Sequence, residues 1–172
     1  PDSFARTVAQ VAALRPDCIA LYSYAHLPQR FKPQRRISVE QLPPPDWRVK
    51  MLGQGIGGFI GHGYTYIGMD HFALPDDSLS VAKRQGRLHR NFQGYSTHAD
   101  CDLIGLGVSA IGRMGATYSQ NAKTLDEYYD AIRQGHFPVV RGLSLTRDDL
   151  VRRAVIMALM CQGRLEFESI EV

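Results

Sequence analysis

Residues 18–24, CIALYSY, are the stretch that decides the fold class. The run is short and almost continuously apolar, which is typical of a strand covered on both faces. The preceding residues predict a helix that Ser3 caps and Pro16 ends. Its apolar face is formed by Phe4, Val8, Val11 and Leu14. A helix followed by such a strand is half of a βαβ unit, so we expect an α/β protein with helices on a mostly parallel sheet.

The carboxyl end of this strand is a candidate ligand site. Ligands of α/β sheets and barrels sit where the strands end, here Tyr24 followed by AHLP. His26 lies just beyond and can be an acid–base group or merely a hydrogen-bonded residue.

The stretch GQGIGG at residues 53–58 matches the dinucleotide-binding pattern G-x-G-x-x-G. That pattern needs a strand before its first glycine, whereas PPPDWRVK precedes it here. Residues 28–45 are predicted to be a loop, and Asp46 is predicted to cap a helix that starts at Trp47 and runs through the glycines. The glycines then serve close packing, and we do not expect nucleotide binding at this site.

Further elements follow along the chain. Residues 64–68, YTYIG, predict a strand, and Asp76 or Asp77 begins a short helix that ends before Gly86. Residues 101–112, CDLIGLGVSAIG, are apolar and rich in glycine, so we expect them to be buried against another backbone or a ligand.

Two capping boxes mark the last helices. TLDE at residues 124–127 opens one that stops before Gly135, and TRDD at 146–149 opens a second that Gly163 ends. The second is apolar around most of its circumference, which predicts a position between layers. Residues 164–172 predict a final strand.

Composition excludes several classes of protein. The chain has 172 residues, 44% of them hydrophobic, and a net charge of +3. No apolar run approaches the eighteen or so residues of a membrane span, and basic residues cluster only at 29–36, so we expect neither a membrane nor a nucleic-acid partner. The first residues lack a secretory signal, which favours a cytoplasmic location, and the chain is expected to start in the middle of a longer protein.

The sequence contains no recognisable metal-binding motif. Cys18, Cys101 and Cys161 are too dispersed for a local ligand set and are expected to be buried thiols in a reducing compartment. His71, beside Asp70 and near Asp76 and Asp77, has no specific ligand spacing, so no metal is predicted there.

Residues 88–102, LHRNFQGYSTHADCD, hold the densest group of polar side chains. They form either a solvated loop or a loop over a functional site. The group comprises His89, Arg90, Asn91, Gln93, His98, Asp100 and Asp102.

Three stretches carry a family resemblance. YSYAHLPQRF at 22–31, the long block from Tyr66 to Gly112, and RGLSLTRDDLVRRAVI at 141–156 together resemble oxygen-independent coproporphyrinogen III oxidase, a radical S-adenosylmethionine enzyme family of haem biosynthesis. The resemblance covers nearly the whole chain and departs from the family at the glycine-laden helix, residues 53–61.

The resemblance implies a fold and its cofactors. The family has an incomplete parallel (β/α) barrel, two S-adenosylmethionine molecules and a four-iron four-sulfur cluster on a C-x3-C-x2-C motif that this chain lacks. Residues 1–143 would be the last part of the barrel with its extension, and residues 144–172 the beginning of a mostly helical C-terminal domain. A fragment without the cluster motif is expected to be inactive by itself.

The resemblance also implies the reaction. Two propionate side chains of coproporphyrinogen III are oxidatively decarboxylated to vinyl groups, which gives protoporphyrinogen IX. The partner is thus a small-molecule substrate, the electron donor and acceptor are not identified, and the protein is expected to be a monomer.

The resemblance implies site residues as well. Tyr24 and Ala25 would contact one S-adenosylmethionine and Ile111 the other, while Phe92 and Gln93 would line the substrate and second-cofactor region as catalytic residues. The substrate carboxylates would be bound by candidates that are basic: Arg90, His89 and, more weakly, Arg35.

Two other functions stay open at this point. One is a non-catalytic haem-binding homologue of the same fold, which is not expected to share SYAHLP or HRNFQGY. The other is a nucleotide-binding or structural module that uses GQGIGG.

Overall fold

The computed structural model describes residues 2–99 and 101–169. Within these residues five α-helices and eight strands form two compact units, the first ending at Gln85 and the second beginning at Gly86. Every strand pair in the described residues is antiparallel. The mixed α/β composition is therefore confirmed, whereas the parallel pairing expected from CIALYSY is not found among these strands.

The first unit packs helices on a small sheet. The helices are α1 (Asp2–Leu14), α2 (Pro45–Gly61) and α3 (Ser78–Arg84). The strands are β1 (Cys18–Ala20), β2 (Thr65–Gly68) and β3 (His71–Ala73), with β3 in the centre. Two short 3-10 helices, Lys32–Arg36 and Val39–Gln41, interrupt the predicted loop.

The core of the first unit is aromatic. Phe59 of α2 and Phe72 of β3 are almost fully buried, with ring centroids 5.1 Å apart. Val8 and Ala12 of α1 and Tyr64 complete the cluster. Leu14, expected on the apolar face of α1, is exposed instead because it lies in the last turn of the helix.

Strand β1 is shorter than predicted. Only Cys18–Ala20 pair with β3, which is itself three residues long, and the chain then leaves the sheet with a bond from the Leu21 N–H to the Asp70 carbonyl oxygen. Residues 22–24 belong to no strand in the described part of the chain.

The GQGIGG stretch lies inside α2, as predicted. Its N-cap is Pro44 rather than Asp46, because Pro45 fits the first helical position, where no N–H bond is needed. A Cβ built on Gly58 would lie 2.7 Å from Val8 Cγ1, and one on Gly55 would lie 2.4 Å from Leu21 Cδ2. These glycines therefore permit close packing against α1 and the segment after β1.

The second unit consists of a hairpin, a three-stranded sheet and two helices. The hairpin is β4 (His89–Asn91) with β5 (Gly94–Ser96). The sheet, in the order β6-β7-β8, contains β6 (Ile111–Met114), β7 (Thr117–Asn121) and β8 (Val139–Ser144). The helices are α4 (Leu125–Arg133) and α5 (Arg147–Gln162).

Several predicted helix ends are confirmed. Asp77 caps α3 by accepting from the Leu79 N–H, and Thr146 forms a complete capping box with Asp149 at the start of α5. Gly163 ends α5 in the left-handed region at φ 71°, where glycine has no steric cost.

Two predictions for the second unit are wrong, and a third is only partly confirmed. In residues 101–112 the side chains of Ile104 and Leu106 are 71% and 85% exposed rather than buried. The expected close approach to another backbone is found, since a Cβ on Gly112 would lie 3.0 Å from the Leu103 carbonyl oxygen and one on Gly105 2.9 Å from the Ile111 carbonyl oxygen. Helix α5 does not lie between layers of the described residues, because Cys161 is its one buried residue there. The predicted strand at 164–172 is instead a 3-10 turn at Phe167–Ser169, and residues 170–172 lie outside the described residues.

Two of the three cysteines differ from the prediction that all are buried. Cys161 is buried, whereas Cys18 and Cys101 are exposed. None of the helices in the described ranges is long and apolar enough to cross a membrane.

Candidate functional site

The polar stretch at 88–102 is largely a hairpin rather than a loop. Strands β4 and β5 pair from His89 opposite Ser96 to Asn91 opposite Gly94. Asn91 Oδ1 accepts from the Gln93 N–H at 2.8 Å, which stabilises the turn. The turn therefore presents Phe92, 53% exposed, and Gln93; Asp100, predicted in this polar group, lies outside the described residues.

Phe92 and Ile111 line the same cavity of about 360 Å³ over the three-stranded sheet. The Phe92 ring stands edge-on to Tyr118 of β7, with centroids 5.2 Å apart and planes at 86°. Arg141 of β8, whose guanidinium donates to Gln120 Oε1, supplies the positive charge. Apolar and aromatic walls with one guanidinium suit a heteroaromatic ligand that carries a carboxylate.

The strand that carries Ile111 is held by a buried amide. Asn121, 7% exposed, donates from Nδ2 to the carbonyl oxygens of Gly105 and Gly107, each at 2.9 Å. Its backbone N–H donates to the Ala110 carbonyl oxygen at 3.0 Å. The residues leading into Ile111 are therefore fixed to β7 although their side chains are exposed.

A second cavity of about 550 Å³ lies between the hairpin, the sheet and α5. Phe92 and Tyr118 line it as well, so it adjoins the first cavity. The candidate carboxylate ligands His89 and Arg90 are both on its wall. The rest of the wall is formed by Asn91, Arg113, Leu143, Leu145, Asp149, Arg152, Arg153, Ile156, Met157 and Met160.

Arg90 has an unusual environment in this wall. Its guanidinium carbon lies 4.8 Å from the centroid of the Tyr95 ring, a cation–π arrangement. The Tyr95 hydroxyl donates to the Met160 carbonyl oxygen, which ties the ring to α5. Arg90 Nη1 is buried and has no hydrogen-bond partner among the residues that the structure describes. A buried donor of this kind is costly unless a ligand engages it.

Asp149 is the acidic residue of this wall. Its Oδ2 accepts from the Thr146 N–H at 2.9 Å and from the Thr146 hydroxyl at 2.7 Å. These hydrogen bonds, and to a smaller extent the nearby charge of Arg152, lower the pKa of the Asp149 carboxyl. The Asp149 carboxylate is therefore engaged in capping the start of α5.

The other predicted contacts lie in the first unit. Tyr24 lines a cavity of about 260 Å³, and its hydroxyl lies 3.1 Å from His26 Nδ1. Ala25 accepts at its carbonyl oxygen from Gln34 Nε2 at 3.1 Å, while Gln34 Oε1 accepts from the Leu27 N–H. The Gln34 side-chain amide thus makes one hydrogen bond to the backbone of residue 25 and one to that of residue 27, as the backbone of a neighbouring strand would.

The structure separates the predicted residues into groups. His89, Arg90, Phe92 and Ile111 share the two adjoining cavities, but Gln93 lines neither of them. Arg35 belongs to the first unit, where its Nε donates to the Pro28 carbonyl oxygen at 2.9 Å.

Sequence reasoning missed several wall residues. Tyr118 and Arg141 stand on strands β7 and β8, which were not predicted, and Arg153 lies on a helix that was expected to be covered. The alternation in ATYSQN was the one available signal for β7.

The acid–histidine pair at residues 70–71 is a close contact, with Asp70 Oδ1 2.6 Å from His71 Nδ1. Within the described part of the chain no group of three or more His, Cys, Asp or Glu side chains could hold a metal ion. The residues present therefore do not fit an iron–sulfur cluster.

Comparison with known proteins gives close relatives. No protein-family model matches the chain. Over 171 residues, 99% of the chain, it is 53% identical to the oxygen-independent coproporphyrinogen III oxidase of Pseudomonas aeruginosa and 49% identical to that of Escherichia coli. It spans about 37% of the length of each of these relatives.

A solved structure agrees with these matches. The chain superimposes with a TM-score of 0.94, at 49% identity, on the Escherichia coli coproporphyrinogen III oxidase, which is described as a radical SAM enzyme. The match covers 99% of this chain and 39% of that one. The resemblance predicted from the sequence is therefore confirmed: along almost its whole length this chain is similar to part of oxygen-independent coproporphyrinogen III oxidase.

Proposed function

We propose that this chain is part of an oxygen-independent coproporphyrinogen III oxidase, an oxidoreductase of haem biosynthesis that converts two propionates of coproporphyrinogen III to vinyl groups. The observation that carries the proposal is the 53% identity over 99% of the chain to a named oxidase. The non-catalytic haem-binding alternative gains no support from the relatives, which are named oxidases.

The proposal includes a domain assignment. Residues 1–143 belong to the last part of an incomplete parallel barrel and its extension, and residues 144–172 begin a mostly helical domain. The boundary of the two compact units, at Gln85 and Gly86, falls within the first of these domains. Because the strands described pair only antiparallel, the parallel pairing of a barrel would need strands from the remainder of the protein.

The proposal assigns cofactor-binding residues in both units, on the basis of the family resemblance. Ile111 and Phe92 would hold one S-adenosylmethionine in the 360 Å³ cavity, and Tyr24 and Ala25 would hold the other in the first unit. When bound, S-adenosylmethionine and a cluster held elsewhere in the protein supply the radical chemistry. The contribution of these residues is to bind, to orient and to exclude water.

The substrate residues would act through charge and shape. Arg90 and His89 would pair with propionate carboxylates, and the aromatic face of Phe92 would lie against the macrocycle. Gln93, exposed at the hairpin turn, would donate an amide hydrogen bond. The proposed protein works in the cytoplasm as a monomer, without a nucleic-acid or membrane partner, and its electron acceptor is not assigned.

The test is an assay of the full-length protein. Anaerobically purified protein is incubated with S-adenosylmethionine, a reductant and coproporphyrinogen III, and vinyl products are quantified. We expect turnover, and a severe loss in Phe92→Ala with unchanged iron content. A protein that binds the tetrapyrrole without turnover would overturn the oxidase assignment in favour of a binding protein. This chain alone is expected to be inactive.

A further inference from the structure

We infer that Arg153 binds a second substrate carboxylate in the 550 Å³ cavity, in addition to the one engaged by Arg90, and so makes this cavity selective for an apolar molecule with at least two carboxylates. The inference rests on the proposed function and adds a specificity residue to it. Nothing in the sequence pattern singled out Arg153.

Two of the four arginines in the wall make short hydrogen bonds to the protein. Arg113 Nη2 donates to the carbonyl oxygens of Ala99 and Cys101 at 3.2 and 2.5 Å. Arg152 Nε donates to Asp148 at 2.6 Å in an exposed pair. A short hydrogen bond, at 2.5 Å for Arg113 and 2.6 Å for Arg152, therefore holds each of these guanidinium groups to the protein, although each keeps further donors.

Arg90 and Arg153 differ from these two. Arg90 Nη1 is buried and unpartnered within the described residues. Arg153 is half-buried, and the one hydrogen bond described for it is a long contact of 3.4 Å from Nη1 to the Gly115 carbonyl oxygen. A guanidinium has five N–H donors, so most of those on Arg153 are free to meet a planar carboxylate.

The rest of the cavity wall suits a ligand with an apolar body. Apart from its charged residues and Asn91 the wall is mostly apolar, with Phe92, Tyr118, Leu143, Ile156 and Met157 among its residues. A hydrophobic surface flanked by cations fits a flat organic molecule with carboxylates at its rim. The wall carries four arginines against Asp149, whose carboxylate is held in the helix cap, so the cavity favours anions.

The two arginines stand on different elements that a hydrogen bond links. Arg90 stands on the β4–β5 hairpin and Arg153 on α5, two different elements of the same unit. The Tyr95 hydroxyl bond to the Met160 carbonyl oxygen joins the hairpin to the helix and so links the two elements that carry the arginines. Two guanidinium groups on linked elements favour ligands whose carboxylates have a matching spacing.

The experiment is a fluorescence titration of the full-length protein, without S-adenosylmethionine or reductant. The probes are coproporphyrin III, the fluorescent oxidised form of the proposed substrate, and its tetramethyl ester, which keeps the ring and loses the charges. The variants are Arg153→Gln and Arg153→Lys. The control is Arg133→Gln, which removes an exposed arginine on α4 that pairs with Asp130.

We expect Arg153→Gln to weaken binding of the acid about tenfold or more, because a charge-assisted hydrogen bond is lost. Binding of the ester should not change, Arg153→Lys should lie in between, and Arg133→Gln should bind like the wild type. Unchanged binding of the acid by Arg153→Gln would overturn the inference. Equal weakening of acid and ester would also overturn it, since Arg153 would then only support the fold.

The outcome is separable from that of the proposed function. A protein that shows the Arg153 effect but no decarboxylation would refute the oxidase assignment and leave the carboxylate site standing. Decarboxylation by the wild type, together with unaltered coproporphyrin binding in Arg153→Gln, would support the oxidase assignment and overturn the inference about Arg153.

Discussion

Phe92 and Tyr118 meet edge to face, with ring centroids 5.2 Å apart, where the hairpin turn reaches the three-stranded sheet. Both rings line the 360 Å³ and the 550 Å³ cavities, so the proposed cofactor space and the proposed substrate space adjoin at this contact. Such a pair contributes about 0.5–1.5 kcal/mol beyond its buried area. The position of Phe92 at an exposed turn therefore depends on its partner ring.

The first prediction follows from that contact. Tyr118→Leu should lower kcat/KM for coproporphyrinogen III about tenfold in the full-length protein, since an unsupported Phe92 ring adopts several orientations. Tyr118→Phe keeps the ring and should retain most activity. Steady-state assays of both variants test this prediction. Equal kcat/KM of Tyr118→Leu and the wild type would show that Phe92 does not need the Tyr118 ring.

The second prediction uses two adjacent glycines of α2. Gly57 has open space where a Cβ would stand, so Gly57→Ala should stabilise the helix by about 0.5–1 kcal/mol. Gly58→Ala would press on buried, β-branched Val8 and should cost about 1–3 kcal/mol. Hydrogen exchange of the α1 and α2 amides measures both effects. Stabilisation by Gly58→Ala would show that these helices are not closely packed.

The third prediction concerns pH at the start of α5. Because hydrogen bonds from Thr146 hold the pKa of Asp149 below its usual range, the cap stabilises the helix above about pH 4 and is lost as the pH falls through the lowered pKa. Asp149→Asn should therefore speed exchange of the first α5 amides at pH 6, and the difference from the wild type should shrink as the pH falls below about 4. A difference that persists at low pH would speak against the cap as its origin.

The fourth prediction concerns Cys18. Partial burial, and then a hydrogen bond from the thiol to Asp77, raise the pKa of Cys18 to about 11. Its alkylation should be slow at pH 8, although the residue is exposed overall, and should rise towards pH 11. Any stability linked to this thiol is present below pH 9 and is lost as the pH rises towards 11.

Asp77→Ser tests that cause, because serine can still cap α3 while the carboxylate is removed. The alkylation profile of Cys18, followed by mass spectrometry with Cys101 as the internal standard, should move to lower pH. An unmoved profile would assign the effect to burial alone.

The sequence predicted the helices better than the strands, and the reason lies in local signals. Thr146, Asp77 and Gly163 are caps that act within one turn, so their residue types suffice. Strand β8 is exposed along its whole length in this chain and shows no apolar alternation by which to recognise it. The direction of pairing depends on distant strands, so CIALYSY could not reveal that β1 is antiparallel to β3.

The candidate site was only partly predictable for the same reason. Phe92 and Ile111 were identified from the family resemblance, and the structure places them on one cavity. Tyr118 and Arg153 enter that neighbourhood through tertiary folding alone, and the free donors of Arg153 become visible only when its hydrogen bonds are known.

The hydrogen bonds between the Gln34 side chain and residues 25–27 do not depend on charge. A carboxamide carries no net charge and does not titrate, so its two bonds, to the Ala25 carbonyl oxygen and from the Leu27 N–H, are insensitive to ionic strength and acidity. Glutamate at position 34 could keep only the second bond, since a carboxylate has no donor. The segment proposed to touch the cofactor is thus anchored independently of the charged groups that would receive the substrate.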